Sequence, residues 1–187
     1  MKNILLTLML FGLTVQSKSQ TASVEQSTYG IETGFLGIWA QNEYKLGNKV
    51  ALRTELGFDS GIWGGSHYRE AGFLLTPVIT LDPRLYYNLN RRDRKSKNIN
   101  GNSGNFFSIK TSYHPDWFVV SNYDNLEIIS DISIVPTWGI RRQSGDHFIY
   151  ETGIGLGYRY IFDEEARNSI METKVALNVH LRMGYRF

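Results

Sequence analysis

The feature that most restricts what this chain can become is a two-residue alternation that keeps one face of each segment free of charge. It is clearest at the C-terminus, where VALNVHLRMGYRF places Val175, Leu177, Val179, Leu181, Met183, Tyr185 and Phe187 on one face. The other face carries Ala176, Asn178, His180, Arg182, Gly184 and Arg186. A period of two is the signature of a β-strand with two different environments on its faces. Thirteen residues at about 3.3 Å each make about 43 Å, which is about 30 Å across a bilayer at a tilt of about 45°.

The pattern repeats from Tyr29 onward, interrupted by clusters of Gly, Asn, Asp and Ser, and predicts seven strands: 28–41, 49–60, 72–88, 104–114, 130–142, 147–161 and 174–187. Their apolar faces run through Ile31, Phe35 and Trp39, then Leu52 and Leu56, Leu75, Ile79 and Leu85, Phe107 and Ile109, Ile134 and Trp138, and Ile154 and Leu156. None carries a charge, although 20% of the chain is charged. A Lys or Arg facing lipid costs about 2–4 kcal/mol at the midplane of a membrane barrel, which accounts for such purity.

The opposite faces collect the charges Glu32, Arg53, Glu55, Asp59, Asp82, Arg84, Lys110, Arg141, Glu151, Arg159, His180, Arg182 and Arg186. In a narrow barrel these side chains meet across a lumen. The expected lumen charge network is Glu32, Arg53, Glu55, Arg84, Lys110, Arg141, Glu151, Arg159 and Arg182. Its expected role is structural, with His180, Arg182 and Glu151 held in hydrogen bonds.

The first residues read as an export signal. Lys2 and the apolar run Ile4 to Val15 precede small residues at Ser17 and Ser19, so the expected division is a signal peptide over 1–19 and a single barrel domain over 20–187. Without that leader the 20 basic residues fall to 18, equal to the 18 acidic ones. A near-neutral domain has no general attraction for nucleic acid. The chain has no cysteine, so an exported domain of this size must hold together without disulfides.

The leader, the short alternating strands, and Tyr185 and Phe187 closing the last of them resemble the small outer-membrane barrels of Gram-negative bacteria, the OmpA and OmpX type. The resemblance covers about residues 28–187 as a pattern. It implies an all-β, antiparallel, up-and-down transmembrane barrel of eight strands in the outer membrane. It further implies that Tyr185 and Phe187 are the assembly signal read by the barrel-assembly machinery, and that the partners are outer-membrane lipids and lipopolysaccharide. A monomer with no cofactor and no metal is expected.

An eighth strand is missing from the seven. It could be the Trp117–Val120 stretch, a split of a long strand, or a piece of 20–28. Pro77, Pro83 and Pro136 fall inside predicted strands, where each removes a ladder donor. With Phe187 at the periplasmic rim, connections 61–71, 115–129 and 162–173 lie outside the cell and the turns 45–48 and 142–146 inside. The long connection Leu89–Ser103 breaks that rule.

Some barrels of this size are lipid A-modifying enzymes, and the deacylase type carries His and Ser two positions apart on a strand. Here Asp116 stands two after His114, Ile149 two after His147 and Arg182 two after His180, while His67 falls in a connection. The expectation is therefore a protein that is not an enzyme, with a structural, adhesive or narrow-pore role. A soluble, exported, calycin-like barrel with its apolar face turned inward around an apolar ligand is the rival architecture, and a lipid A-modifying enzyme the rival activity. The basic run Arg91, Arg92, Arg94, Lys95 and Lys97 reads as a solvated turn, and Gly153, Gly155 and Gly157 share a strand face with no helix following, unlike a phosphate loop. Trp39, Trp138, Tyr87, Tyr158, Tyr160, Tyr185 and Phe187 are the expected interfacial aromatics.

Overall fold

In the computed structural model, which describes residues 22–63, 72–122, 128–162 and 173–187, the alternating segments become strands of one antiparallel sheet. They are β1 (Ser27–Gly34), β2 (Gly37–Gly47), β3 (Val50–Trp63), β4 (Gly72–Tyr86), β5 (Asn105–His114), β6 (Val120–Ser121), β7 (Asp131–Ser144), β8 (Phe148–Ile161) and β9 (Thr173–Arg186). Eight of them close into a barrel, since β1 pairs with β9 and β3 with β4. The two-residue β6 is an extra strand laid on β4 near Leu74 and Leu75. The proposed signal at 1–19 lies outside the described residues, as does His67.

The missing strand comes from splitting 28–41. Alternation runs through that stretch without a break, but the chain reverses at Phe35–Leu36, and Gly34 pairs with Gly37. A Cβ on Gly37 would sit 2.0 Å from the Phe58 carbonyl oxygen, and its φ of +148° disfavours a side chain. The two-residue turn shifts the alternation by one. Odd residues face outward before it, as Tyr29 and Ile31 do, and even residues after it, as Ile38, Tyr44 and Leu46 do. Trp39, expected among the lipid-facing aromatics, consequently points into the lumen and is 3% exposed. The Trp117–Val120 stretch contributes only to β6, outside the closed ring.

The prolines sit where ladder donors are dispensable. Pairing of β4 with β5 skips Asp82 and Pro83, pairing of β7 with β8 skips Val135 and Pro136, and Pro77 lies beyond the last β4–β5 pair, Ile79 with Tyr113. Each missing N–H therefore falls at a local gap or past the end of a neighbour.

Both ends of the described chain lie at one rim, here called lower, together with the turns 47–50 and 144–148. The long connection after β4 lies there too, and its length has a structural reason. Helix α1 (Leu89–Asp93) and a 3-10 turn (Asn100–Asn102) fold under the barrel mouth, burying Leu89, Asn102 and Ser103. With Ala22, Val24, Ala51, Tyr86 and Phe106, Leu89 makes a small apolar cluster that closes the lower end. Arg91, Arg94, Lys95 and Lys97 remain exposed on this cap, while Arg92 donates to the Asn98 carbonyl oxygen.

Burial is inverted relative to a water-soluble domain. Val175, Leu177, Leu156 and Phe187 are 64–70% exposed on the outside, and the largest fully buried side chains are Arg53 and Arg141.

Candidate functional site

The lumen divides into a filled lower half and an open upper half. In the lower half, strands from around the ring send guanidiniums and carboxylates to one place. Arg53 of β3 contacts Glu32 of β1, Glu55 of its own strand, Glu43 of β2 at 3.4 Å and Glu151 of β8 at 3.3 Å. Arg84 of β4 donates Nη1 and Nη2 to Glu151 at 2.7 and 2.9 Å, and its Nε to Asp82 at 2.7 Å. From β7, Arg141 donates Nη1 to Glu32 at 2.7 Å and to Glu151 at 2.9 Å. Arg182 of β9 completes the set through Glu55 at 2.8 Å.

These groups are 0–4% exposed, so a neutral balance is a physical necessity. Four arginines face the five carboxylates of Glu32, Glu43, Glu55, Asp82 and Glu151, and Lys110 supplies a fifth positive charge at 3.9 Å from Glu55. That distance is ion-pair contact without a hydrogen bond.

Not every residue expected in the network is in it. Arg159 lies at the upper rim, nearly half exposed, with its Nε 3.3 Å from Asp131. Arg186, on the charged face but not among the residues expected in the network, is at the lower rim, donating to Glu25 and Gln143. In the other direction, Glu43 is absent from the expected set, yet it is fully buried and accepts from Tyr86 Oη at 3.0 Å and from Asn102 Nδ2 at 2.7 Å. It ties the ion network to the cap beneath. The sequence holds one clue: read without a turn, 28–41 has the parity that would turn Glu43 toward the apolar side.

Above the network lies a cavity of about 800 Å³. Its floor has Lys110 and Asn178, its far wall Ser112 and Ser133, and its upper rim Asp59, His114 and Asp131. His114 bridges two strands, with Nδ1 3.0 Å from Asp131 Oδ1 and Nε2 3.1 Å from Asp59 Oδ2. A neutral imidazole donates from one nitrogen only, so a ring with a carboxylate at each nitrogen is best satisfied as an imidazolium. Asp59 also accepts from Trp39 Nε1 at 2.7 Å, and the Trp39 ring carries the Arg182 guanidinium at 3.7 Å from its centroid. A second cavity of about 290 Å³ adjoins the first between the β1–β2 turn and β9.

His180 stands 3.4 Å from Glu151 Oε1 and has Asn178 Oδ1 at 3.4 Å from its Nδ1. No group of three or more His, Asp or Glu side chains with metal-binding geometry occurs among the described residues. Tyr185 and Phe187 lie on the outside at the lower rim, edge-to-face at 5.5 Å, and Tyr185 stacks on His147 at 4.8 Å.

No known family model matches this chain, and the comparisons with curated proteins and with solved structures found no match.

Proposed function

We propose that the chain is an exported outer-membrane barrel whose lower half is a sealed anchor and whose upper half, with its connections, faces the outside of the cell. The observation that carries this reading is the inversion of burial: fully buried arginines inside, and a continuous apolar belt of β7, β8 and β9 side chains outside. Exposed apolar area of that extent has no rationale in water and an obvious one in lipid. A calycin-like barrel holding an apolar ligand would line its interior with the apolar face, so the polar lumen favours the membrane reading.

Further support comes from aromatic rings on the outside at two levels. Tyr87, Trp138, Tyr150 and Tyr185 lie toward the lower rim, with Trp138 Nε1 donating to Tyr87 Oη at 2.9 Å, and Tyr113, Tyr158 and Phe162 lie toward the upper. In this reading residues 1–19 direct export, Tyr185 and Phe187 are read during assembly, and lipids and lipopolysaccharide are the surroundings. The role is structural or adhesive rather than enzymatic. The filled lower lumen and the apolar cap argue against a continuous pore.

Membrane fractionation of expressing cells with heat modifiability on a gel tests the reading. The expected result is recovery in the outer-membrane fraction and faster migration of the unheated sample. Recovery in the soluble periplasmic fraction overturns it.

A further inference from the structure

The wall of the barrel is not equally complete around its circumference. β9 pairs with β8 along its whole length, from Thr173 to Tyr185, but with β1 only from Arg182 to Arg186, because β1 stops at Gly34. On the far side of the β1–β2 turn, β3 continues past its last β2 pair, Asp59 with Gly37, to Trp63. Above Phe35–Leu36, residues 173–181 of β9 therefore have no neighbouring strand among the described residues on the side away from β8. Two strand positions are missing there, a separation of about 14 Å at about 4.8 Å per interval.

The backbone groups facing this gap can be identified. Phe187 donates its N–H to the Tyr29 carbonyl oxygen, and a Cβ on Gly34 would lie 2.6 Å from the Leu181 carbonyl oxygen, so odd residues of β9 turn their peptide groups toward β1. The same alternation aims those of Val175, Leu177 and Val179 into the gap. These residues pair with Tyr158, Leu156 and Ile154, and their side chains are 53–70% exposed, so the gap opens at the level of the apolar belt. Unpaired strand edges are not tolerated against hydrocarbon unless they line a polar cavity or meet a polar partner. Such a cavity is present: the 800 Å³ space is walled by residues 174–179 in unbroken succession, which means by the strand edge itself, and by Leu36 of the turn.

We propose that the gap is a lateral portal through which the cavity takes up an anionic, single-chain amphiphile from the surrounding bilayer. Its head group would sit on the Lys110 ammonium and on N–H groups of the β9 edge, and its acyl chain would leave past Phe35 and Leu36. Lys110 reaches both cavities and its contact with Glu55 is too long for a hydrogen bond, so its N–H donors are available to a ligand oxygen. Asp59 and Asp131, the acidic groups of the rim, are engaged by His114. Phe35, 86% exposed, supplies an apolar threshold. The cavity volume lies in the range of small-molecule sites.

The inference rests on the outer-membrane reading, and the test separates the two. The chain has no cysteine, so single cysteines carrying a bimane fluorophore can be placed in the full-length protein in phosphatidylcholine vesicles. Ile154→Cys lies on the outside at the depth of the gap, Asn178→Cys on the lumenal side beside it, and Ser112→Cys on β5, across the lumen. With phospholipid brominated on its acyl chains, strong quenching is expected for the label at position 154, at least half as much at position 178, and little at position 112. An unquenched label at position 154 would mean the protein is not in the bilayer, and the outer-membrane reading fails. Quenching at position 154 with position 178 no more affected than position 112 would mean a closed wall and overturns the portal alone. For the head group, fluorescent dansylaminoundecanoate is expected to bind at least tenfold more weakly to a heat-modifiable Lys110→Ala variant. Dodecyltrimethylammonium is not expected to compete for it. Equal affinity in the variant, or competition by the cationic amphiphile, overturns the assignment to Lys110.

Discussion

The two halves of the barrel are drawn from the same eight strands and the same alternation, yet they are built to opposite ends. Below the Phe35–Leu36 turn every strand has a neighbour on both sides, the lumen is filled by arginines and carboxylates, and residues 87–104 close the mouth. Above it two strand positions are unfilled among the described residues, the lumen is a cavity, and the ion contacts move to a partly exposed rim. Sequence on the lower side is constrained by charge balance across five or more strands at once. On the upper side single residues are far freer to vary, and on the proposed outer-membrane reading that is where recognition can be fitted without endangering insertion.

This contrast can be broken most sharply through the ion network. Glu151→Ala removes the acceptor shared by Arg53, Arg84 and Arg141 and should cost about 3–5 kcal/mol, because buried charges are left uncompensated. Arg159→Ala at the upper rim should cost under about 1 kcal/mol, since its partner contact is partly solvated. Urea unfolding in lipid vesicles reads both, and similar losses would erase the distinction between the halves. Next in size, Ile154→Lys on the outer belt should cost about 2–4 kcal/mol in the same assay. A neutral effect there would mean that the belt does not meet hydrocarbon.

Smaller effects are expected at the turns. Gly37→Ala forces a side chain against the Phe58 carbonyl at an unfavourable φ and should cost about 1–3 kcal/mol, whereas Gly47→Ala meets nothing within 4 Å and should be close to neutral. Finally, purified protein in planar bilayers should give no steady conductance while the cap is intact. Stable channel events in the unmodified protein would contradict the sealed lower half.

Six of the eight ring strands and the outward direction of their apolar faces are legible in the sequence, because period-two segregation is strong wherever a strand meets two different environments on its faces. The β1–β2 turn is not, since GFLG contains no polar side chain and an apolar turn at the level of the belt looks like more strand. The strand count, the direction of Trp39 and the role of Glu43 all hang on that one turn. Arg53, Arg84, Arg141, Glu151 and Arg182 can be listed from face alone, but face does not encode height, so the pattern groups Arg159 with residues it never reaches. The Leu89–Ser103 connection shows its length and its basic charge. That Leu89 and Asn102 fold back under the barrel depends on tertiary contacts with Phe106 and Glu43, which no local pattern reports.

On the proposed reading the apolar face of the closed barrel meets lipid and the charged face does not. Nitroxide labels placed one residue at a time from Phe148 to Tyr158 of β8, in the reconstituted protein, test it directly through collisions with oxygen, which concentrates in hydrocarbon. The expected profile is a two-residue oscillation with maxima at 148, 150, 152, 154, 156 and 158 and minima at the positions between them. Maxima at 149, 151 and 153, or a profile with no oscillation, would contradict it.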